Sequence, residues 1–106
     1  MLGYWVYMLA SRPDGTLYVG VTSNLVRRVA EHREGVVPSF TERYGVKRLV
    51  WYETHDSIEA AIRREKRLKK WPHAWKVALI ESANPKWRDL WDDVTGQGGW
   101  PGRAGP

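Results

Sequence analysis

The chain has 106 residues, close to the usual size of one domain, and 42% of them are hydrophobic. It contains no cysteine, which excludes a disulfide framework, a thiolate metal site and a thiol nucleophile. Seventeen Lys and Arg against twelve Asp and Glu give a formal net charge of +5, and a basic domain of this size is suited to binding a polyanion such as nucleic acid.

The amino terminus and the hydropathy pattern give no sign of export or membrane insertion. The first residues lack the charged start, apolar stretch and small-residue cleavage site of a signal peptide. The longest apolar run falls far short of the roughly 18 residues that a membrane-spanning helix needs. We therefore expect a cytoplasmic protein.

A β-hairpin is predicted at the start of the chain. Tyr4–Ala10 is rich in aromatic and β-branched residues and free of breakers, which indicates a strand. The Ser-Arg-Pro-Asp-Gly segment that follows is typical of a turn, so residues 16–21 should form the returning strand. Tyr7 and Tyr18 lie at similar distances from this turn. They should therefore be opposite or diagonal neighbours across the two strands.

The next element is a short capped helix. Ser23 or Asn24 provides an N-cap, and the apolar spacing predicts a helix over Leu25–Arg33 that ends at Gly35. Residues 35–46 are rich in Pro, Ser, Thr and Gly, which predicts a polar loop.

The middle of the chain predicts a buried strand followed by a second helix. Residues 48–54 contain the run Leu-Val-Trp-Tyr, typical of a strand that is covered on both faces. Asp56, with Glu59 three residues later, is predicted to be the N-cap of a helix over residues 57–71.

The last third of the chain predicts a third helix and a tail. Pro72 ends the second helix or opens the third, which covers His73–Ala83, and residues 86–91 could add one helical turn. The composition then changes to Gly and Pro. We expect residues 1–92 to form one domain and residues 93–106 to form a disordered tail.

Glu65 is the least expected residue for its position. It interrupts an apolar stripe on the second helix, formed by Ile58, Ala61, Ile62 and Leu68. One interpretation is a partly buried ion pair with Arg28 or a neighbouring basic residue. The other is a metal ligand, because Mg²⁺ often takes only one or two protein carboxylates and completes its shell with water and phosphate oxygens.

Other candidate residues have both a structural and a functional interpretation. Tyr7 and Tyr18 are ordinary sheet aromatics when each is taken alone, and His32 is an ordinary helix-end histidine. Arg28, next to Arg27, could be a surface charge. However, Arg28 and His32 lie one turn apart on the same helix face, just after the second strand, and a tyrosine, an arginine and a histidine at such a junction suggest a phosphate-handling site.

Six of the eight residues at 63–70 are basic: Arg63, Arg64, Lys66, Arg67, Lys69 and Lys70. They form either a solvated helix face or a strip that contacts phosphates, which Arg43, Lys47 and Arg48 would extend. We expect the four tryptophans nearby, at positions 71, 75, 87 and 91, to be packing residues and not platforms for base stacking.

Two short motifs and three later residues carry a resemblance to a known family. Trp5-Val6-Tyr7 and Tyr18-Val19-Gly20 resemble the paired signature of the GIY-YIG endonuclease superfamily. Arg28, His32 and Glu65 match, in order and approximate spacing, its arginine, its histidine or tyrosine, and its metal-binding glutamate. The resemblance covers about residues 4–80 and is strongest to the small stand-alone members.

The resemblance implies a mechanism for hydrolysis of a phosphodiester. Glu65 would hold one Mg²⁺ or Mn²⁺ ion against a phosphate oxygen, and Arg28 would bind the same phosphate. Tyr7 or Tyr18 would orient and deprotonate the attacking water as a cation-stabilised phenolate, with His32 as an auxiliary acid–base group. Gly20 would leave room for phosphate or backbone to approach.

The chain departs from the family pattern in two ways. Trp5 stands where the first signature glycine is expected, and residues 21–23 lack the lysine that some members carry after the second motif. Asn84 is the nearest candidate for the family's later asparagine, although a helix stop explains it equally well.

The predicted elements form an α+β domain with a three-stranded, mainly antiparallel sheet flanked by helices. We predict a divalent-metal-dependent endonuclease that acts on nucleic acid, with DNA favoured through the resemblance, in repair or processing. The alternatives are a non-catalytic nucleic-acid binder of the same fold and an interaction module that uses exposed tryptophans. A monomer or weak homodimer is expected, and so small a domain suggests a protein partner that supplies specificity.

Overall fold

The computed structural model describes residues 3–35 and 44–96. Arg43, most of the predicted loop and most of the predicted tail lie outside these residues. The described part contains strands β1 (Tyr4–Ala10), β2 (Leu17–Thr22) and β3 (Arg48–His55), and helices α1 (Leu25–Arg33), α2 (Ile58–Lys70), α3 (His73–Ala83) and α4 (Trp91–Thr95). No helix within 3–35 and 44–96 is both long and apolar enough to cross a membrane.

The three strands form one antiparallel sheet in the order β2-β1-β3, which confirms the predicted α+β architecture. β1 lies in the centre, and its register with β2 places Leu9 opposite Tyr18 and Tyr7 opposite Gly20. Tyr7 and Tyr18 are therefore diagonal neighbours on one face of the sheet, as the hairpin predicted.

Each face of the sheet carries its own core, because successive strand residues point to opposite sides. Val6 and Met8 of β1 pack with α2 and α3 through Ala61, Leu68 and Ile80. On the other face, the core consists of Tyr7, Leu9, Leu25, Val29, Val46 and Leu49, with α4 packed against it. Helices α1 and α2 thus lie on opposite faces.

The helix starts are set by side-chain caps. Asn24, rather than Ser23, caps α1: its side-chain oxygen accepts a hydrogen bond from the Arg27 amide at 3.1 Å. The prediction that Asp56 caps α2 is wrong. Ser57 is the N-cap, because its hydroxyl accepts a hydrogen bond from the amide of Ala60 at 3.1 Å, the usual capping geometry.

The chain after α3 differs from the prediction. The expected helical turn at residues 86–91 is absent, because Trp87 has φ of 56°, which a right-handed helix does not allow. The helical turn lies instead at α4, which includes position 93, where we expected the tail to begin. Asn84 ends α3, and its side chain bonds the backbone of Val50 and Arg88, which supports its interpretation as a helix stop.

Strand β3 is covered on both faces only in its first half. Leu49, Val50 and Trp51 are buried, whereas Tyr52 is 37% exposed. The predicted two-sided burial therefore holds for three of the four residues in the apolar run.

Candidate active site

The ring of Tyr7 lies against Gly20 of the neighbouring strand. Tyr7 is only 1% exposed. A Cβ atom added at Gly20 would lie 2.5 Å from both Cζ and the hydroxyl oxygen of Tyr7. The missing side chain lets the phenol reach across β2. We expected Gly20 to leave room for phosphate or backbone; the ring of Tyr7 fills the space beside its α-carbon.

Gly20→Ala is expected to lower the free energy of unfolding by about 1–3 kcal/mol, because the new methyl group overlaps a buried ring. Urea denaturation measures this change. Gly3→Ala is the matched control: its Cβ would lie 3.7 Å from the backbone oxygen of His55, an ordinary contact, so a change within about 0.5 kcal/mol is expected. Equal losses of unfolding free energy in the two variants would contradict the close contact between the ring of Tyr7 and Gly20.

Two tyrosines and a histidine form the centre of the site. His32 lies on the inner face of α1 with Leu25 and Val29, at helical spacing, and is 1% exposed. Its Nε2 lies 3.1 Å from the hydroxyl oxygen of Tyr7. The ring of Tyr18 lies 5.2 Å from His32 and 6.2 Å from Tyr7, between centroids. The structure thus brings Tyr7, Tyr18 and His32 into contact.

Burial controls the protonation of this centre. It raises the pKa of the Tyr7 phenol far above its ordinary value, and Tyr18 adds to the rise by its charge and by a hydrogen bond. Arg28 lowers the pKa of Tyr7, but burial outweighs it. In the free protein these shifts favour the neutral phenol of Tyr7 over the cation-stabilised phenolate we expected of Tyr7 or Tyr18. Burial, and then the charge of Arg28, also lower the pKa of His32. Both groups are neutral near pH 7.

Arg28 stands at the exposed edge of this centre. Its guanidinium lies 3.7 Å from a carboxylate oxygen of Glu31, and Arg27 contacts the other oxygen of that carboxylate at 3.3 Å. The three side chains line a cleft of about 210 Å³ with the β2–α1 junction, residues 22–24. We did not single out Glu31 from the sequence, although its spacing of three and four residues from the two arginines is the signal for such pairs.

Glu65 approaches the centre from the helix on the other face of the sheet. It is 9% exposed, and its carboxylate lies 2.6 Å from Nζ of Lys69, one turn further along α2. The ion-pair interpretation is confirmed, with Lys69 rather than Arg28 as the partner. The charge of Glu65 also raises the pKa of Tyr7, so its carboxylate acts on the tyrosine centre.

The donor set limits what metal the site could hold. Among the residues that the structure describes, no three His, Cys, Asp or Glu side chains form a metal-binding cluster. One nearly buried carboxylate fits Mg²⁺ or Mn²⁺, which accept water and phosphate oxygens for the remaining positions. It does not fit zinc, which takes at least three protein ligands.

The six basic residues of α2 divide into three groups. Arg64 turns toward β3, where it bonds Glu53 at 2.9 Å and lies over Trp51 and Trp71. Lys69 pairs with Glu65. The four others, Arg63, Lys66, Arg67 and Lys70, are exposed on the outer face of the helix. Exposure of these four side chains fits both a solvated helix face and a phosphate-contacting strip, whereas Arg64 and Lys69 form ion pairs within the domain.

Comparison with known proteins agrees with this arrangement. The family model for the GIY-YIG catalytic domain matches residues 3–78. A UPF0213 protein of Natronomonas pharaonis is 42% identical over 77 residues, which cover 73% of this chain and 89% of that protein. A UPF0213 protein of Syntrophus aciditrophicus is 36% identical over 83 residues, which cover 77% of this chain and 93% of that protein.

A solved structure shares the fold. The solution NMR structure of a UPF0213 protein from Bacillus halodurans superposes with a TM-score of 0.52 at 28% identity. The match covers 85% of this chain and 95% of that one. The resemblance inferred from the two signature motifs is therefore confirmed at the level of family and fold.

Proposed function

Because the chain belongs to the GIY-YIG catalytic domain family, we propose that it is an endonuclease that hydrolyses phosphodiester bonds in nucleic acid, with DNA as the preferred substrate. The observation that carries the proposal is the buried hydrogen bond between Tyr7 and His32, in contact with the partly exposed Tyr18. A polar cluster of this kind, with shifted pKa values and a neighbouring arginine, is typical of a catalytic site.

Tyr18 is the tyrosine that meets the attacking water. It is the more exposed of the two, whereas Tyr7 is buried. As water attacks phosphorus, the P–O bond to the leaving oxygen breaks, and that oxygen takes a proton from solvent. The proton of the attacking water passes to the oxygen of Tyr18, the proton of Tyr18 passes to Tyr7, and the proton of Tyr7 passes to Nε2 of His32. The relay needs neutral His32 with an unprotonated Nε2, and the lowered pKa of His32 favours the neutral form. No tyrosinate has to exist before the reaction starts.

Arg28 and Glu65 act on the phosphate. Arg28 is 44% exposed at its side chain and offers two parallel N–H donors to the phosphate oxygens once Glu31 releases it. Glu65 would hold a divalent ion, Mg²⁺ or Mn²⁺, which neutralises charge that develops on the phosphate. Lys69 neutralises Glu65 in the free protein and so lowers the cost of burying that carboxylate.

The acid limb of the pH–rate profile is expected below about pH 6.5, the ordinary pKa of histidine. Burial and Arg28 lower the pKa of His32, with Glu31 opposing them, so the neutral proton acceptor persists as the pH falls through 6.5. Activity is then lost only at more acidic pH. Cleavage rates at saturating substrate, with His32 titrated by NMR, measure this. A limb above pH 6.5 would contradict the relay.

A cleavage and binding panel tests the proposed function. Nicked, branched, single-stranded and duplex DNA, and matching RNA, are incubated with Mg²⁺ or Mn²⁺, and binding is followed across a salt series. The proposal expects metal-dependent cutting of at least one substrate. Salt-sensitive binding with no cutting would favour the non-catalytic binder, and salt-insensitive association with protein alone would favour the interaction module.

A cytoplasmic location and a role in DNA repair or processing fit a basic domain of a nuclease family. The cleavage and binding panel tests the role in repair or processing. The domain would act as a monomer or weak homodimer, with the outer residues of α2 and Arg27 contacting phosphates.

A further inference from the structure

Helix α3 carries more apolar surface than the domain buries. Its sequence, His-Ala-Trp-Lys-Val-Ala-Leu-Ile-Glu-Ser-Ala, has apolar residues on every side, yet Ile80 is its only buried residue. Trp75 is 59% exposed. A helix that is apolar all round is normally covered, so the outer side of α3 is suited to a partner.

The exposed tryptophan is part of a formed groove. Trp71, at the end of α2, meets Trp75 edge to face with ring centroids 5.8 Å apart. The two rings line a groove of about 370 Å³ together with Ala78, Leu79 and Ser82. The exposed ring of Trp75, with apolar side chains beside it, provides a surface on which a flat heterocyclic ring can stack.

Trp71 is held in place from behind. The guanidinium of Arg64 lies 5.5 Å from the centre of its ring and is itself fixed by a 2.9 Å bond to Glu53. His73 of α3 contacts Asp14 in the β1–β2 turn at 3.4 Å, which ties the start of α3 to the hairpin. These contacts fix Trp71 and the start of α3, the two parts of the chain that meet at the groove.

Exposed positive charge lies on the helix that precedes this groove. Arg63, Arg67, Trp71 and Trp75 are spaced four residues apart, so the arginines stand one helical turn from each other and from the first tryptophan. Both arginines are exposed, and within residues 3–35 and 44–96 neither forms an ion pair. We call these four residues the outer ridge.

We propose that the outer ridge binds an unpaired stretch of nucleic acid, with phosphates on Arg63 and Arg67 and an unpaired base stacked on Trp75 in the groove. A phosphate-binding row beside an aromatic surface is complementary to a single strand, which alternates charge and flat bases. A duplex offers only phosphates, because its bases are already stacked. The inference rests on the proposed function for the class of ligand and narrows the substrate to one with a single-stranded segment.

Binding in EDTA, where no metal-dependent cutting occurs, tests the ridge separately from catalysis. Anisotropy is measured for a 12-nucleotide single strand and for a 12-base-pair duplex. Trp75→Ala is expected to weaken single-strand binding by about tenfold and to change duplex binding by less than about twofold, since one stacked base is lost. Trp75→Phe should restore most of the binding.

Two further variants complete the test. Arg67→Gln should reduce the dependence of single-strand binding on log salt concentration by about 0.7, the contribution of one phosphate contact. Tyr44→Ala removes an aromatic side chain that is 50% exposed and is not one of the four ridge residues, and it should leave both affinities unchanged.

Three outcomes would overturn the inference. One is equal loss of single-strand and duplex binding in Trp75→Ala, and another is no loss at all. The third is self-association, measured by sedimentation, that Trp75→Ala abolishes while oligonucleotide affinity stays constant; the groove would then be an interface between two copies of the chain. Failure of cleavage in the presence of metal, with ridge binding intact, would count against the nuclease proposal alone.

Discussion

Glu65→Gln is expected to reduce cleavage by about 10² to 10³, the cost of removing one electrostatic group from a reacting phosphate. The substitution keeps the size of the side chain and removes the charge that would hold a divalent ion. Because it also releases Lys69 from its 2.6 Å ion pair, nucleic-acid binding should stay the same or tighten slightly. Cleavage rate and binding affinity are measured on the same substrate, and the cleavage rate should fall without any loss of affinity.

Glu59→Gln is the matched control for this variant. Glu59 lies on the same helix, is exposed, and loses the same charge by the same substitution. It should cleave at the wild-type rate. If Glu65→Gln cuts as fast as Glu59→Gln, the carboxylate of Glu65 has only a structural role, and the Lys69 pair would be its full explanation.

Tyr18→Phe is expected to reduce the rate of cleavage at saturating substrate by about 10² to 10⁴, the usual contribution of a general base. The ring stays, so its contacts with Tyr7 and His32 remain, and only the hydroxyl that meets water is lost. Tyr7→Phe should also be severely impaired, because it removes the middle member of the relay. The double variant should be no slower than the slower single variant, since residues that act as one unit are not additive.

Tyr4→Phe provides the comparison on the same strand. Tyr4 lies on β1 but packs on the α2 face, away from the tyrosine centre, and should retain full activity. Additive losses in Tyr7→Phe and Tyr18→Phe would show two independent roles and would contradict the relay. Wild-type activity in Tyr18→Phe would show that another group acts as the general base.

The local elements were predictable where strong breakers flank them. β1, α1 and α3 have the predicted bounds, because residues that break or cap regular structure flank them. These residues are Pro13 and Gly15 after β1, Asn24 and Gly35 around α1, and Pro72 and Asn84 around α3. Gly35, for instance, has φ of 75°, the left-handed conformation in which a helix commonly ends.

Features that depend on distant parts of the chain were not predictable. Ile62 lies at the spacing of the apolar stripe yet is 37% exposed. Trp87 adopts a positive φ while its buried ring packs into the core and its indole donates to Glu81 at 2.8 Å. The sequence near Trp87 does not indicate that packing of its ring and its hydrogen bond to Glu81 accompany a positive φ.

The candidate site shows the same division. The signature motifs and the resemblance placed Tyr7, Tyr18 and His32 together, and the hairpin register explains the first two. The hydrogen bond from Tyr7 to His32 spans 25 residues and needs α1 packed on the sheet. The close approach of Tyr7 to Gly20 likewise follows from the strand register and the ring orientation, which no single motif contains.

The most direct test of the account is reversible metal dependence with the unmodified protein. A labelled DNA duplex with a single-stranded tail is incubated with the protein in Mg²⁺, then with excess EDTA, then with Mg²⁺ restored. The account predicts cutting, arrest and renewed cutting, with binding present throughout. Stable binding in all three conditions without any cut strand, on this substrate and on the full panel, would contradict it and would leave a nucleic-acid-binding domain in place of a nuclease.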